Sequence, residues 1–301
     1  MSEQAFRCST SSLTRDEPLA GTASVFRSFL MVEFPGPWGI DALRDSRLPA
    51  DVGLALKARC RELRVRPSLI RRHGRSTATG RMRVFAAHAD PDQPWMETVE
   101  LDGPEGLLDL DLDALSQGRT LGLDRWDAPL FLTCTHGRHD ACCAERGRPV
   151  AQALFSSHPD EAWEVSHIGG DRFAATVVVL PHGLYYGRLD RERAARMAVY
   201  HHEGRLDVEH LRGRSGYSWS AQAAEIFLRR DLGLDGIAAL RLLESSADDT
   251  THTLRFAAVD GRVWEVAVVQ GKADPQRLTC SAQRDSPIPT HTLVSITPTS
   301  I

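Results

Sequence analysis

Residues 134–143 constrain this chain more than any other segment. Their sequence, Cys-Thr-His-Gly-Arg-His-Asp-Ala-Cys-Cys, holds three of the six cysteines of the 301-residue chain. It follows a short apolar run, residues 128–133, which we predict to be a buried strand that delivers Cys134 at its end. Thiolates and imidazoles on a turn after a strand are the donors that a metal ion or an iron–sulfur centre needs, because both bind soft or borderline metals. This segment therefore decides which functions the sequence supports.

Strands and helices are predicted to alternate after this turn. The hydrophobic pattern and the turn residues place them as follows: a helix at 144–156, strands beginning near 164–166 and covering 176–180 and 185–189, and a helix at 190–202 capped by Asp190. The order strand, helix, three strands, helix is that of the thioredoxin-like arrangement. In that arrangement the reactive loop follows the first strand, where this sequence has Cys134.

The flanking sequence predicts two further parts. Residues 1–125 read as an N-terminal α/β region, with strands at 29–33, 65–70, 82–87 and 95–101, a helix at 52–63 and a half-exposed strand at 108–114. Residues 206–301 read as a small α+β module, with a helix at 220–230, a hairpin of 251–259 and 262–270, a strand at 277–282 and an irregular region at 287–298. We therefore predict an α/β protein, α+β overall, with boundaries at 1–125, 126–205 and 206–301.

Composition excludes several classes of function. The formal net charge is -4 and basic residues are interleaved with acidic ones, so we expect no nucleic-acid partner. No apolar run is long enough to cross a membrane and the first residues lack a signal-peptide pattern, so we expect a cytoplasmic protein that does not bind a membrane. Six cysteines are too few for a secreted disulfide scaffold, which leaves them as thiols or metal ligands.

The motifs of the central part resemble those of the sucrase/ferredoxin-like family, which belongs with the thioredoxin-like ferredoxins. They are Cys134-Thr-His-Gly with Asp140 and Cys143, then His167-Ile-Gly-Gly, Arg172-Phe-Ala and Tyr186-Gly187, and residues 18–23 and 33–39 are similar to the start of bacterial members. The resemblance implies a [2Fe-2S] protein that passes single electrons to or from an unidentified redox protein.

The family's ligands are two cysteines in C-x8-C followed by two histidines in H-x3-H. Cys134, Cys143 and His167 match the first three positions, and Asp171 stands where the second histidine would be. Because a carboxylate is a harder donor than imidazole or thiolate, Cys142 and Cys8 remain rivals for the fourth position.

The residues around this motif suggest supporting roles. Gly169 and Gly170 allow the second loop to approach a cluster with unusual backbone angles. We interpret the His136 side chain as a hydrogen-bond partner of a cluster sulfur, and Arg172 as a partner of Asp140 or a balance to the cluster's charge. Cys142 is interpreted as a neighbour of the site, since adjacent side chains of an extended segment point to opposite sides.

Other functions remain open on the sequence. Cys134 could exchange disulfides with Cys143 or Cys142 on a thioredoxin-like scaffold, although C-x-x-C spacing is absent. Cysteine and histidine could instead close a zinc site in an interaction module. Cys8, Cys60 and Cys280 are otherwise read as structural. No carboxylate pair is selected by spacing and no glycine-rich nucleotide motif is present, so we expect an electron-transfer protein rather than a sucrose hydrolase or a complete reductase.

Overall fold

The structure is a computed structural model and describes residues 5–74 and 80–299. These residues form a ten-stranded mixed sheet with helices, and a separate four-stranded antiparallel sheet at the C-terminal end. No helix in the described ranges is long and apolar enough to cross a membrane. The predicted α/β class is confirmed at this level.

The elements come in chain order. The first part contains α1 (Cys8–Thr14), β1 (Ser28–Glu33), α2 (Ala42–Asp45), α3 (Ala50–Glu62), β2 (Val65–Arg71), β3 (Met82–His88), β4 (Trp95–Leu101), α4 (Leu112–Ser116) and β5 (Asp124–Arg125). The central part contains β6 (Leu130–Cys134), α5 (Ala141–Ser157), β7 (Ala162–Val165), β8 (Val177–Leu180), β9 (Leu184–Tyr186), α6 (Arg191–His202) and β10 (Leu211–Arg214). The last part contains α7 (Trp219–Leu232), β11 (Leu240–Asp248), β12 (Thr251–Ala258), β13 (Val263–Gln276) and β14 (Ser286–Thr299).

The large sheet has the order β10-β9-β8-β6-β7-β2-β1-β3-β4-β5. Two neighbouring pairs, β6 with β7 and β1 with β2, are parallel, and the other pairs are antiparallel. β2 pairs with β7, so one sheet runs from the first part of the chain into the central part. The predicted domain boundaries stay a prediction.

β6 is apolar except for Thr133, because both faces of the sheet are covered there. All five of its residues are buried. Phe131 packs with residues of α5 and α6 on one face, whereas Leu130, Leu132 and Cys134 pack on the other face beside Phe85. The alternation places Cys134 at the end of the strand, inside the core.

The helix α5 begins at Ala141, three residues before the predicted start. Its first turn is fixed by Asp140, whose side chain accepts a hydrogen bond of 2.9 Å from the backbone N–H of Cys142. Cys142 and Cys143 therefore lie on a helix and not on an extended segment, and their side chains are turned roughly 100° apart around its axis. The extended-chain argument for Cys142 was wrong.

Two predicted elements are corrected by the structure. Residues 108–114 do not form a strand: they end a 3-10 helix and begin α4, because Asp111 caps that helix by accepting from the N–H of Ala114 at 2.9 Å. Residues 277–282 form a loop, and the region predicted to be irregular is β14. β14 lies at the edge of the four-stranded sheet. Prolines are tolerated there because one side of an edge strand makes no hydrogen bonds to a neighbouring strand.

Candidate metal centre

Cys134 and Cys143 lie side by side, one at the end of β6 and the other in the first turn of α5. Each side chain is 1 % exposed. The adjacent Cys143 thiol is the main cause that lowers the pKa of Cys134, and the contact with Cys134, with burial, raises the pKa of Cys143. The backbone N–H of His136 adds to the stabilisation of the Cys134 thiolate. The pair is therefore prepared to hold negative charge on Cys134.

The loop after β7 brings two more of the predicted residues to this pair. Gly169 and Gly170 have φ values of 95° and 82°, which turn the chain back into a single 3-10 turn at Asp171–Phe173. The Cys143 thiol donates to Asp171 Oδ1 at 3.1 Å, and His167 Nδ1 lies 2.9 Å from the same oxygen. The structure thus brings together the Cys134 group, made of Cys134, Cys143, His167 and Asp171.

His167 and Asp171 stabilise each other's charge. Burial alone would lower the pKa of His167, but the neighbouring Asp171 carboxylate outweighs it and the pKa is raised. Burial alone would raise the pKa of Asp171, but His167 and then the Cys143 thiol lower it below its ordinary value. The carboxylate is 4 % exposed, so this end of the ion pair is shielded from water.

His139 is a further candidate ligand at this place. Its ring stacks on that of His167 with centroids 3.8 Å apart, and its Nε2 lies 3.9 Å from Asp171 Oδ2. These three side chains can place donor atoms within 4.8 Å of one another. His139 lies in the same loop as the two cysteines, which is a local signal by which it could be found in the sequence.

The donors of the Cys134 group fit an iron–sulfur cluster. They are two sulfurs, one imidazole nitrogen and one carboxylate oxygen, a mixed set such as clusters with non-cysteine ligands use. His167 Nδ1 is buried and has no hydrogen-bond partner with suitable direction, although Asp171 is close. A ligating nitrogen needs a free lone pair, which His167 would present once it has lost the proton that Asp171 stabilises.

The hydrogen-bond partners predicted for Arg172 and His136 are wrong. Arg172 does not pair with Asp140: it donates to Glu17 at 2.5 Å, and its alternative role of balancing a cluster's charge stays a prediction. The His136 ring does not reach a sulfur: its Nδ1 accepts from the backbone N–H of His167 at 3.1 Å and its Nε2 donates to the carbonyl of Gly39 at 2.8 Å. The ring therefore fixes the position of His167, and no local signal in the sequence separates the two roles.

Sequence analysis missed Arg212, a buried cation behind the glycine loop. It is 1 % exposed and donates to the carbonyl of Gly169 at 3.0 Å and to the Thr22 hydroxyl at 3.1 Å. A Cβ on Gly170 would overlap its guanidinium group. Burial lowers the pKa of Arg212 to about 10, so it remains charged at neutral pH. Arg212 comes from β10, far along the chain, and nothing in its local sequence marks it.

Cys142 belongs to a second group, which we name the Cys8 group: Cys8, Asp140, Cys142 and Cys280. The Cys142 and Cys280 sulfurs are 3.3 Å apart, and those of Cys280 and Cys8 are 3.6 Å apart. Donor atoms of all four residues lie within 4.8 Å of one another, so this buried group can hold a metal. The structure places the two rivals for the fourth position, Cys8 and Cys142, here and not beside Asp171.

A cavity of about 710 Å³ opens beside the Cys134 group. His136, His139 and His167 line one side of it. The rest of its wall is mainly apolar, and the charged side chains on it are basic, with Asp41 as the acidic exception: Arg44, Lys57, Arg61, Arg64 and Arg66. The His139 and His167 side chains are 33 % and 26 % exposed, so the histidine edge of the group is the side that faces outward.

Fold and donors together define a mixed α/β protein with buried cysteine, histidine and aspartate groups that can bind metal. The model of the sucrase/ferredoxin-like family matches residues 19–213, and the chain belongs to this family, as its motifs predicted. Comparison with curated proteins and with solved structures gave no match. The matched residues include the whole Cys134 group but neither Cys8 nor Cys280.

Proposed function

We propose that this protein binds a [2Fe-2S] cluster through Cys134, Cys143, His167 and Asp171 and carries single electrons for a redox partner. Family membership and the donor set support this proposal. The strand order β9-β8-β6-β7, with β6 parallel to β7, also agrees with a thioredoxin-like domain whose reactive loop follows β6.

The observation that carries the proposal is the contact between the two halves of the motif. Cys143 donates to Asp171 at 3.1 Å, and His167 lies 2.9 Å from the same carboxylate oxygen. A cysteine pair and a histidine–aspartate pair therefore meet at one buried point. A [2Fe-2S] cluster asks the protein for four ligands in two pairs.

The bound cluster would supply one-electron redox chemistry, and the chain's own groups would tune it. A carboxylate at the fourth position adds negative charge, which lowers the reduction potential relative to a site with two histidines. The buried guanidinium of Arg212 acts in the opposite direction. Ligation needs the Cys143 thiolate and a neutral His167, so assembly of the centre releases protons.

We further propose that the redox partner approaches over the histidine edge. His139 and His167 are the partly exposed members of the site and border the cavity, whose charged wall residues are five basic side chains and Asp41. A partner with acidic groups around its own redox centre would be attracted to this face.

The experiment that tests the proposal is metal analysis and electron paramagnetic resonance of anaerobically purified protein. We expect iron and acid-labile sulfide in equal amounts and a signal on reduction. Cys134→Ser and Cys143→Ser should lose it, while Cys60→Ser, which changes a buried cysteine on α3 outside both groups, should keep it.

Single changes at His167, Asp171 and His139 then identify the remaining ligands. Loss of the signal marks an essential ligand, and a shifted signal marks a residue that only tunes the cluster. Iron-free protein from anaerobic purification, or iron that survives both cysteine changes, overturns the proposal. Reversible disulfide formation between Cys134 and Cys143 in iron-free protein would favour the thiol–disulfide alternative.

A further inference from the structure

We propose that the Cys8 group binds one structural zinc ion, at a site distinct from the Cys134 group. Three thiols and one carboxylate converge there: Cys142 and Cys280 are 3.3 Å apart, Cys280 and Cys8 are 3.6 Å apart, and both Asp140 oxygens lie 3.6 Å from the Cys8 sulfur. Zinc takes thiolate and carboxylate ligands and favours four of them in structural sites.

The spacing of the donors suits a single small ion. Zn–S bonds of about 2.3 Å at tetrahedral angles hold two sulfurs about 3.8 Å apart. The sulfur–sulfur distances of 3.3 and 3.6 Å are close to that edge length. Cysteines that bind different irons of a polynuclear cluster are held further apart. Four protein donors also leave no position for substrate, which is the arrangement of a structural site.

Asp140 is already oriented as a ligand. Its Oδ1 accepts from the backbone N–H of Cys142 at 2.9 Å, and its Oδ2 accepts from the N–H of Cys280 at 2.6 Å. Each carboxylate oxygen has a second lone pair, so one of them can still bind a metal. Hydrogen bonds of this kind fix the direction of a metal ligand and strengthen binding.

Burial gives a reason for a cation at this point. Cys8, Asp140 and Cys142 are 0 %, 2 % and 1 % exposed. No arginine, lysine or histidine forms a salt bridge with Asp140 within residues 5–74 and 80–299. A buried carboxylate is costly unless it is paired or binds metal, and a divalent ion would offset part of the negative charge of the carboxylate and the thiolates.

A disulfide is the main alternative, and the geometry does not favour it. Joining Cys142 to Cys280 would use two of the three converging thiols and leave the buried Cys8 thiol beside them without a partner. Zinc uses all four. It would tie α1, the start of α5 and the loop between β13 and β14 together, joining residues that are 132 to 272 positions apart in sequence.

The test is metal analysis of the full-length protein by mass spectrometry, with zinc-edge X-ray absorption. We expect one zinc per chain, bound by three sulfurs at about 2.3 Å and one oxygen. Cys8→Ser and Cys280→Ser should lose at least nine-tenths of the zinc and keep their iron. Cys134→Ser should lose its iron and keep its zinc. The control Cys60→Ser should keep both metals.

A second measurement avoids substitutions. Zinc should protect Cys8, Cys142 and Cys280 of the unmodified protein from alkylation, and a chelator should remove that protection. Absence of zinc, zinc retained in Cys8→Ser and Cys280→Ser, zinc lost in Cys134→Ser, or a disulfide within the group each overturns the inference. Iron and zinc are counted separately, so failure of the iron–sulfur proposal and failure of this one give different results.

Discussion

The two cysteine groups lie on either side of the first turn of α5, and they are built in different ways. The Cys134 group comes from 38 consecutive residues, 134–171, whereas the Cys8 group draws on both ends of the chain. Cys142 and Cys143 are neighbours in sequence, yet each serves a different group, because a helix turns successive side chains roughly 100° apart. One helix start can therefore supply ligands to two sites.

The surroundings of the groups also differ. The Cys134 group contains an ion pair, has the Arg212 guanidinium behind it and reaches the surface through its histidines. The Cys8 group is held by backbone N–H groups that bind Asp140. An outward-facing edge suits electron exchange, and a closed set of four donors suits a structural ion. Similar ligand types therefore serve different roles here, because the two groups differ in their exposure at the surface and in the charged groups around them.

The sharpest way to break this comparison is to change the adjacent cysteines one at a time. We expect Cys143→Ser to abolish iron binding and keep zinc, and Cys142→Ser to abolish zinc binding and keep iron, because their sulfurs face different groups. Metal content by mass spectrometry measures both. Loss of the same metal in both variants would show that the two groups act as one site.

Gly170→Ala should disturb the Cys134 group alone. Its φ of 82° is unfavourable for alanine, and the added Cβ would overlap the guanidinium of Arg212. We expect a loss of about 3 kcal/mol or more in the free energy of unfolding, together with weaker iron binding and retained zinc.

Gly204→Ala is the matched control for this change. Its φ is 72°, but nothing lies within 4 Å of the added Cβ, so only the backbone cost of about 1 kcal/mol applies. Denaturant titration compares the two. Equal losses would mean that Arg212 yields to the methyl group and does not hold the glycine loop.

Asp171→His should raise the reduction potential by on the order of 100 mV, because a neutral imidazole replaces a carboxylate. Asp171→Asn, which removes the charge at similar size, should move the potential in the same direction if the cluster is retained. Potentiometric titration followed by electron paramagnetic resonance measures the shift. An unchanged potential in Asp171→His would mean that residue 171 neither binds nor faces the cluster.

Burial should lower the pKa of a histidine that has no carboxylate partner, whereas the pKa of His167 is raised. His182 and His201 lie near the other end of β6, with ring centroids 5.1 Å apart, and burial lowers their pKa values to about 4 and about 3. The unfolded chain takes up these protons near pH 6.5 and the folded chain does not. Their contribution to the free energy of unfolding is therefore at its full value above pH 6.5 and is lost as the pH falls below it.

For His201 this loss is about 2 kcal/mol between pH 6.5 and pH 5. His201→Gln should remove that part of the pH dependence, while His252→Gln on the C-terminal sheet serves as the control for an imidazole changed elsewhere. Urea unfolding at several pH values measures the slope. A slope that is the same in His201→Gln and in the unmodified protein would contradict the expectation.

Charge reversal at the cavity wall should have the smallest effect. Arg61 and Arg64 are exposed and line the cavity. In the double variant Arg61→Glu with Arg64→Glu, oxidation by anionic ferricyanide at low salt should become slower relative to oxidation by a cationic cobalt complex. We expect the ratio of the two rates to fall severalfold. High salt should remove the difference. Arg262→Glu, on the β12–β13 turn, is the control, and an equal effect there would argue against electron exchange at the histidine edge.

Most regular elements were predictable because their signals are local. The alternating and helical hydrophobic patterns located β1–β4 and β6–β9 of the large sheet and helices α3, α5, α6 and α7 within a few residues, but not the short strands β5 and β10. The predictions of secondary structure failed where a single capping side chain, or the position of a strand in its sheet, decided the local structure. Asp111 caps a helix where alternation suggested a strand, and the edge position of β14 tolerates prolines that suggested irregular chain.

What the sequence determined by itself, through the resemblance of its motifs, is Cys134, Cys143 and His167; it left Asp171, Cys142 and Cys8 as rivals for the fourth position. Only the tertiary structure decided the Cys8 group, the burial of Arg212 and the role of the His136 ring. Each of these depends on contacts between residues about 30 to more than 250 positions apart. Such contacts follow from how strands and helices pack, and no local pattern of residue types encodes them.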